Sequence, residues 1–310
     1  MNSELVIICI PTFKRPGLLR NCLISISNLH IPKTYQVKII IVDNDENESA
    51  KVIYHELEVL TNFPLYYFVE KTRGLSSVRN KLIEESIFLK ADFIAFIDDD
   101  EQASVDWLTH LTLAMEKYNA DVCTGPVMEM NREGPSTHKK AKTTGSVPRH
   151  ISTNNVLLRT KLVVEQNIRF DVFYNFIGGE DFDFFEKSSK LNNKHIWVAE
   201  AYIYEVLTRQ RDNLSYLYFR HFTGGINSVL RFKRSNPAWR TWIRFLPKII
   251  GKLVSAVFRL ILCILTFSKY QRDESIKKFS NATGYLAGLM NIVVERYRNI
   301  QTEDSNIPHH

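Results

Sequence analysis

Four acidic residues in a row, Asp98-Asp99-Asp100-Glu101, follow directly on the apolar run Phe93–Ile97. Adjacent carboxylates repel one another unless a cation neutralises them, and hard oxygen ligands select Mg²⁺ or Mn²⁺. The other reading is an acidic helix N-terminus, since acids favour the positive end of the dipole of a following helix over Ser104–Tyr118. Three further polar clusters also follow apolar runs. Leu5–Ile10 exits into Pro11-Thr12-Phe13-Lys14-Arg15-Pro16, Val37–Val42 into Asp43-Asn44-Asp45, and Leu65–Val69 into Thr72-Arg73-Gly74-Leu75-Ser76 with Arg79-Asn80 beyond. If the runs are strands of one parallel sheet, these clusters share the rim at their carboxyl ends, where open α/β sheets bind ligands. A second acidic pair, Glu180-Asp181, follows Gly178-Gly179, and Phe182, Phe184 and Phe185 open a helix behind it. The glycines permit a tight turn with close approach of a substrate.

The elements that must hold these groups read with little ambiguity in the first half. The four apolar runs are continuous rather than alternating, as for parallel strands buried on both faces. Helix-length segments lie between them at Gly17–Leu29, Ser49–Leu60, Ser76–Leu89 and Ser104–Tyr118, with Ser49, Ser76 and Ser104 as expected caps. Strand–helix alternation predicts a doubly wound α/β sheet with right-handed crossovers. Beyond it, Ala120–Val127, Thr153–Arg159 and His195–Ile203 read as strands and Leu214–Phe232 as a helix. The polar stretch Glu129–His150, with His138, Lys139, Lys140 and Lys142, reads as a mobile loop.

The tail differs in composition. From Arg209 to Arg272 thirteen Lys and Arg face one acid, Asp212, a local charge of +12 in a chain of net +6. Such a block points to an anionic partner. Ile249–Phe267 is apolar except for a stripe of Lys248, Lys252, Ser255 and Arg259 at helical spacing, with Trp239, Trp242 and Phe245 upstream. A basic stripe on an otherwise apolar helix is expected to lie in the headgroup layer without spanning the bilayer. A second helix is expected over about Ser275 to Arg298, where Gly284 and Gly288 would let another helix approach closely. Residues 301–310 read as a disordered tail.

The order Pro-Thr-Phe-x-Arg, Val-Asp-Asn, Gly-Leu-Ser-x-x-Arg-Asn and Asp-Asp-Asp-Glu resembles that of the family 2 glycosyltransferases, and Gly178-Gly179-Glu180-Asp181 is similar to their acidic motif near the acceptor. The resemblance implies a GT-A fold: a Rossmann-like, mostly parallel sheet flanked by helices over residues 1–235, with a nucleotide half to about 127 and an acceptor half beyond. A helical membrane-associating region would occupy 236–300. The same resemblance places Pro11, Thr12, Arg15, Asp43, Arg79 and Asn80 at the nucleoside, Asp98 and Asp99 at the donor ribose and sugar, and Asp100 on Mn²⁺ or Mg²⁺. Asp181 would be the catalytic base, with Glu180 competing for that role. Arg220 and His221 are possible diphosphate or metal contacts, or simply helix-surface residues.

The implied activity is inverting transfer of a single sugar from a nucleotide-diphosphate sugar, UDP-sugar favoured, to a glycan or lipid-linked acceptor in cell-surface polysaccharide synthesis. Chain synthesis is not expected, because a Gln-x-x-Arg-Trp motif and multiple spans are missing. The alternatives are a sugar nucleotidyltransferase, disfavoured because Pro11–Pro16 has no glycine, and an inactive membrane scaffold. Nucleic acid is set aside because Val254–Phe267 offers few polar groups to track a phosphate backbone. The four cysteines, at 9, 22, 123 and 263, form no metal or redox pattern and suit a reducing compartment. No secretion leader is read, since Pro11 interrupts the first apolar run. The expected location is the cytoplasmic face of the membrane, peripheral or monotopic. Nothing in the sequence assigns an oligomeric state.

Overall fold

The computed structural model describes residues 3–131, 134–135, 142–206, 213–295 and 298. His138, Lys139 and Lys140 of the expected loop, and the expected disordered tail 301–310, lie outside these residues. Two compact units are present. Among the described residues, the first comprises those up to 175 and 180–206, and the second 176–179 and those from 213 onward. The sequence placed a boundary near 235; among the described residues the helix from Leu214 instead groups with the helices after it.

The first unit is built on a seven-stranded sheet, with β1 Glu4–Thr12, β2 Tyr35–Asp43, β3 Leu65–Val69, β4 Phe93–Ile97, β6 Val122–Thr124, β9 Asn155–Arg159 and β10 His195–Trp197 in the order β10-β6-β9-β4-β1-β2-β3. The pairs β1/β2, β1/β4 and β2/β3 are parallel, whereas β9 runs antiparallel to both β4 and β6. Helices α1 Pro16–Ser27, α2 Lys51–Leu57 and α4 Trp107–Lys117 cover one face, and α3 Leu75–Phe88, α5 Lys161–Val164 and α6 Glu180–Lys190 the other. The chain steps from β1 outward to β2 and β3, then returns to place β4 on the far side of β1. That reversal opens a crevice at the carboxyl ends of β1 and β4, the topological switch point where such sheets bind ligands.

A second sheet of β5 Glu101–Ala103, β11 Ile203–Val206, β7 Val127–Asn131 and β8 Gly134–Pro135 overturns two single-strand readings. Ala120–Val127 is broken at Gly125-Pro126, where proline cannot donate to a ladder, so β6 stays in the large sheet and β7 enters the small one. His195–Ile203 likewise divides into β10 and β11, one in each sheet. The start of the expected 129–150 loop is therefore strand. Asn155 ties the break together: its amide donates to the carbonyls of Pro126 (3.0 Å) and Ala201 (2.8 Å) and accepts from Trp107 Nε1 (2.8 Å).

None of the three serines caps a helix through its side chain. The caps are Ala50, Gly74 and Asp106, and the Ser76 hydroxyl, inside α3, donates to the Asp171 carbonyl at 2.8 Å.

The second unit holds α7 Leu214–Arg234, α8 Ala238–Thr266 and α9 Lys269–Leu289. Gly284 of α9 faces the Phe222 carbonyl of α7 so closely that an added Cβ would collide with it, which is the close approach expected at this glycine. α8 begins eleven residues before Ile249 and runs through Pro247. α9 starts earlier and stops well before Arg298, because Asn291 takes a left-handed φ of 64° that ends the helix.

Candidate active site

The sharp exit of β4 at the switch point delivers Asp98, Asp99 and Asp100, and β1 delivers Thr12 beside them. The buried Thr12 hydroxyl donates to Asp99 at 2.7 Å, and Arg15 Nη1 reaches Asp99 Oδ1 at 3.3 Å and Asp100 Oδ2 at 3.4 Å. Pro11 pairs in register with Val42 at the strand end. Burial raises the Asp99 carboxyl to about 7, although Arg15 opposes the shift. Glu101, fourth in the acidic run, points back inward. It is almost fully buried and accepts from the Asp98 N–H (3.2 Å) and the Asn154 amide, so it shapes the loop rather than facing the crevice. Burial, with Asp98 and Asp100 nearby, pushes its carboxyl well up.

Asp43 is fully buried at the end of β2. Its oxygens accept from the backbone N–H groups of Asp45 (2.9 Å) and Ala50 (2.8 Å) and from the Tyr67 hydroxyl (3.0 Å). A base imino group would add to this set rather than fill an empty one. Burial raises the carboxyl despite these donors.

Its neighbour Asn44, which carried no role in the sequence, clamps the rim. The amide nitrogen donates to the carbonyls of Glu70 (2.7 Å) and Thr72 (2.9 Å), and the oxygen accepts from the Gly74 N–H (2.8 Å). Gly74 sits at φ 130° against Asn175, where any Cβ would collide. Only glycine meets both demands. In the same loop Arg73 stacks on the Phe13 ring, 3.8 Å from its centroid.

Arg79, expected beside the base and ribose, is engaged by two carboxylates. Its guanidinium is buried, with Nη1 on Glu180 Oε1 and Nη2 on Asp98 Oδ1 at 3.5 Å, so it bridges the β4 rim and the acidic pair. Burial alone would lower its affinity for the proton, but Glu180, Asp98 and Asp181 outweigh that, and the group is held firmly charged. Asn80, also expected at the base, exchanges two hydrogen bonds with the Phe170 backbone at 2.8 and 2.9 Å. The long-range pairing of residues 79 and 180 had no signal in sequence spacing; two opposite charges near apolar runs were the only hint.

Gly178 and Gly179 take φ of 79° and 97°, the turn anticipated ahead of α6. Glu180 is buried on Arg79, whereas Asp181 is partly exposed in the first turn of α6. Burial, then the adjacent Glu180, raises the Asp181 carboxyl from 3.8 to about 7. A carboxyl poised there suits proton transfer near neutral pH. Arg220 and His221 lie on α7 in the second unit, where burial and then Lys277 and Arg220 lower the His221 proton affinity.

Among the described residues no three His, Cys, Asp or Glu side chains gather as a metal cage. Mg²⁺ is commonly held instead by one or two carboxylates and substrate phosphates. Asp98 and Asp100, part-exposed at the strand end, fit that mode, with Arg15 supplying positive charge beside them.

Known proteins resemble the chain in sequence and in fold. The relative ExoM of Rhizobium meliloti (strain 1021), a succinoglycan biosynthesis protein, is 29% identical over 222 residues, 69% of this chain and 71% of its own. The glycosyltransferase GlyA of Streptococcus pneumoniae is 24% identical over 130 residues, 42% of this chain and 18% of its own. Residues 1–349 of S. aureus TarS, crystallised with UDP-GlcNAc, superpose with a TM-score of 0.57 at 15% identity, covering 93% of this chain and 92% of that one. The chain spans 55% of the longer TarS chain. GalNAc-T7, crystallised with UDP, GalNAc and Mn²⁺, gives a TM-score of 0.57 at 13% identity over 74% of this chain and 51% of that one. At such identities the structures share the fold alone, a GT-A-like α/β architecture. The sequence profile of Glycosyl transferase family 2 matches residues 7–178, more than half of the 310-residue chain, and the chain belongs to that family.

Proposed function

We propose that this chain is an inverting, non-processive glycosyltransferase. It would move one sugar from a nucleotide-diphosphate sugar, with UDP favoured, to a glycan or lipid-linked acceptor in cell-surface polysaccharide synthesis. The observation that carries this reading is the Arg79 bridge: one buried guanidinium gathers Asp98 at the β4 rim and Glu180 at the head of α6. With Glu180 held by Arg79, Asp181 is the carboxylate left to act as base. It takes the proton of the acceptor hydroxyl as that oxygen bonds to the anomeric carbon. The bond from that carbon to the diphosphate breaks on the opposite face, and the nucleoside diphosphate leaves with the electron pair. Mn²⁺ or Mg²⁺, held by Asp100 and the diphosphate, would supply charge neutralisation to the leaving group. Arg15 stabilises the same charge from the β1 side. The UDP-sugar complex of TarS and the Mn²⁺ complex of GalNAc-T7 support the donor and metal readings, and the relationship to ExoM supports the pathway class.

We place the enzyme at the cytoplasmic face of a membrane; the membrane part of this reading is supported by α8, whose most apolar 18-residue window has a mean hydropathy of 2.1 and is 11% buried.

The experiment is a thermal-unfolding panel of UDP, GDP and several nucleotide sugars with and without Mn²⁺, followed by transfer assays with the ligands that bind. A ligand at 100 times its Kd adds about 2.7 kcal/mol of stability. Equal stabilisation by a donor in excess chelator refutes the metal role, and stabilisation by no nucleotide refutes the donor reading.

A further inference from the structure

α8 turns out the face that a soluble helix hides. Ile243 (66% exposed), Ile250 (55%), Val254 (65%), Ile261 (50%) and Leu265 (71%) succeed one another at steps of seven, four, seven and four residues and so lie on one line along the helix. The buried positions Phe245, Ile249 and Ala256 are on the opposite side. Two cations of the basic stripe flank that inner side. Lys252 sits over the Tyr285 ring of α9 at 5.6 Å, and Arg259 donates to Gln271 Oε1 at 2.9 Å. Lys252 and Arg259, expected to meet headgroups, are instead turned toward α9, and the apolar line is left without a protein partner among the described residues.

The residues bordering that line identify its occupant as lipid. Exposed Trp239 and Trp242 stand at one end of α8, and exposed Phe267 and Tyr270 at the other, the side chains that settle at a membrane boundary. Exposed Arg240, Arg244 and Lys248 near the tryptophans can reach anionic headgroups along their stems. α9 decides the orientation. It folds back antiparallel along α8, with Ser275 Oγ on the Ala256 carbonyl at 2.8 Å beside the Arg259–Gln271 contact. Its first turns carry Lys269, Arg272, Asp273, Glu274, Lys277 and Lys278. An upright α8 would draw those charges into hydrocarbon, which excludes them.

We infer that α8 lies in the plane of an anionic bilayer with the Ile243–Leu265 line sunk in the acyl layer of one leaflet, so that the α8–α9 hairpin rests on the membrane and does not cross it. This deepens the membrane reading above and rests on it.

The test uses the full chain and vesicles of phosphatidylcholine with phosphatidylglycerol. Flotation examines membrane association itself. Environment-sensitive labels at Ile243→Cys, Val254→Cys and Ile261→Cys, each in a Cys263→Ser background, then report depth by quenching from spin-labelled lipids; Cys9, Cys22 and Cys123 are buried. Equal shallow depth at all three positions, a solvent-exposed label at Lys277→Cys, and flotation persisting in about 1 M NaCl support the inference. Graded depths overturn it while leaving membrane association intact, because upright positions 243 and 261 would differ by about 27 Å. Failure to float overturns the membrane reading. If the labels are then buried only as protein concentration rises, the face is covered by a second copy. Ile250→Asp/Val254→Asp should abolish flotation while leaving the Mn²⁺–nucleotide thermal shift unchanged, and retained flotation in that variant overturns the assignment of the face.

Discussion

Replacing Arg79 by Met separates the structural from the catalytic reading of the acidic pair. The Arg79 and Glu180 side chains are 5% and 6% exposed, and Glu180 Oε2 already lacks a hydrogen-bond partner. Methionine keeps most of the stem volume, so the main loss is charge: Glu180 would be left buried without a counter-ion. Breaking one side of a buried pair costs about 3–5 kcal/mol, whereas replacing both by apolar groups is often near neutral. Arg79→Met should therefore lower stability by about that amount, or about 6–20 °C in Tm for a unit of this size. The double variant Arg79→Met/Glu180→Met should recover most of the loss, with a coupling energy of about 2 kcal/mol or more. Arg79→Lys should rescue little, since a single ammonium cannot fork between Asp98 and Glu180. Urea denaturation with unchanged m-value is the assay. A single-variant cost under about 1 kcal/mol, or a double-variant cost equal to the sum of the two singles, would refute the claim that this pair holds the site together.

Asp181→Asn should reduce transfer by a factor of about 10² to 10⁴ while donor affinity stays near wild type; near-normal transfer alongside an inactive but folded Glu180→Gln would move the base to Glu180. With the Asp181 carboxyl raised to about 7, the transfer rate should climb as pH rises through neutrality and then level; a flat profile from pH 5.5 to 8 counts against Asp181. The same shift has a stability sign. The folded state holds a proton that the unfolded chain has released, so Asp181 contributes stability below about pH 4 that is lost as pH rises to about 7, and Asp181→Asn should flatten that part of a urea-midpoint curve. Asp100→Ala should remove the Mn²⁺-dependent part of nucleotide stabilisation without unfolding the chain, as read by thermal shift. Gly74→Ala meets both the φ of 130° and Asn175, and should cost at least about 1–3 kcal/mol; an unchanged Tm would refute the strain.

The sequence by itself determined the sheet that makes the rim and most of what stands on it. β3 and β4 coincide with their apolar runs and β1 and β2 extend theirs by a few residues, because a parallel strand buried on both faces is apolar at every position. Asp98, Asp99, Asp100 and Thr12 were legible for the same reason: each stands at the end of such a run, and the strand end fixes where it goes. Pairings with no local period behind them were decided only by tertiary structure. Strands at 120–127 and 195–203 divide between two sheets because Asn155 and the Gly125-Pro126 break link segments distant in sequence. Arg79 meets Glu180 across 101 residues because α3 and α6 pack on one face of the sheet. Periodicity also placed the basic stripe of α8 on one side of the helix, but not which way that side would turn. The packing of α9 turned Lys252 and Arg259 inward and left the isoleucine line outside, since a helix wheel fixes the angles between side chains and only a neighbour fixes where they point.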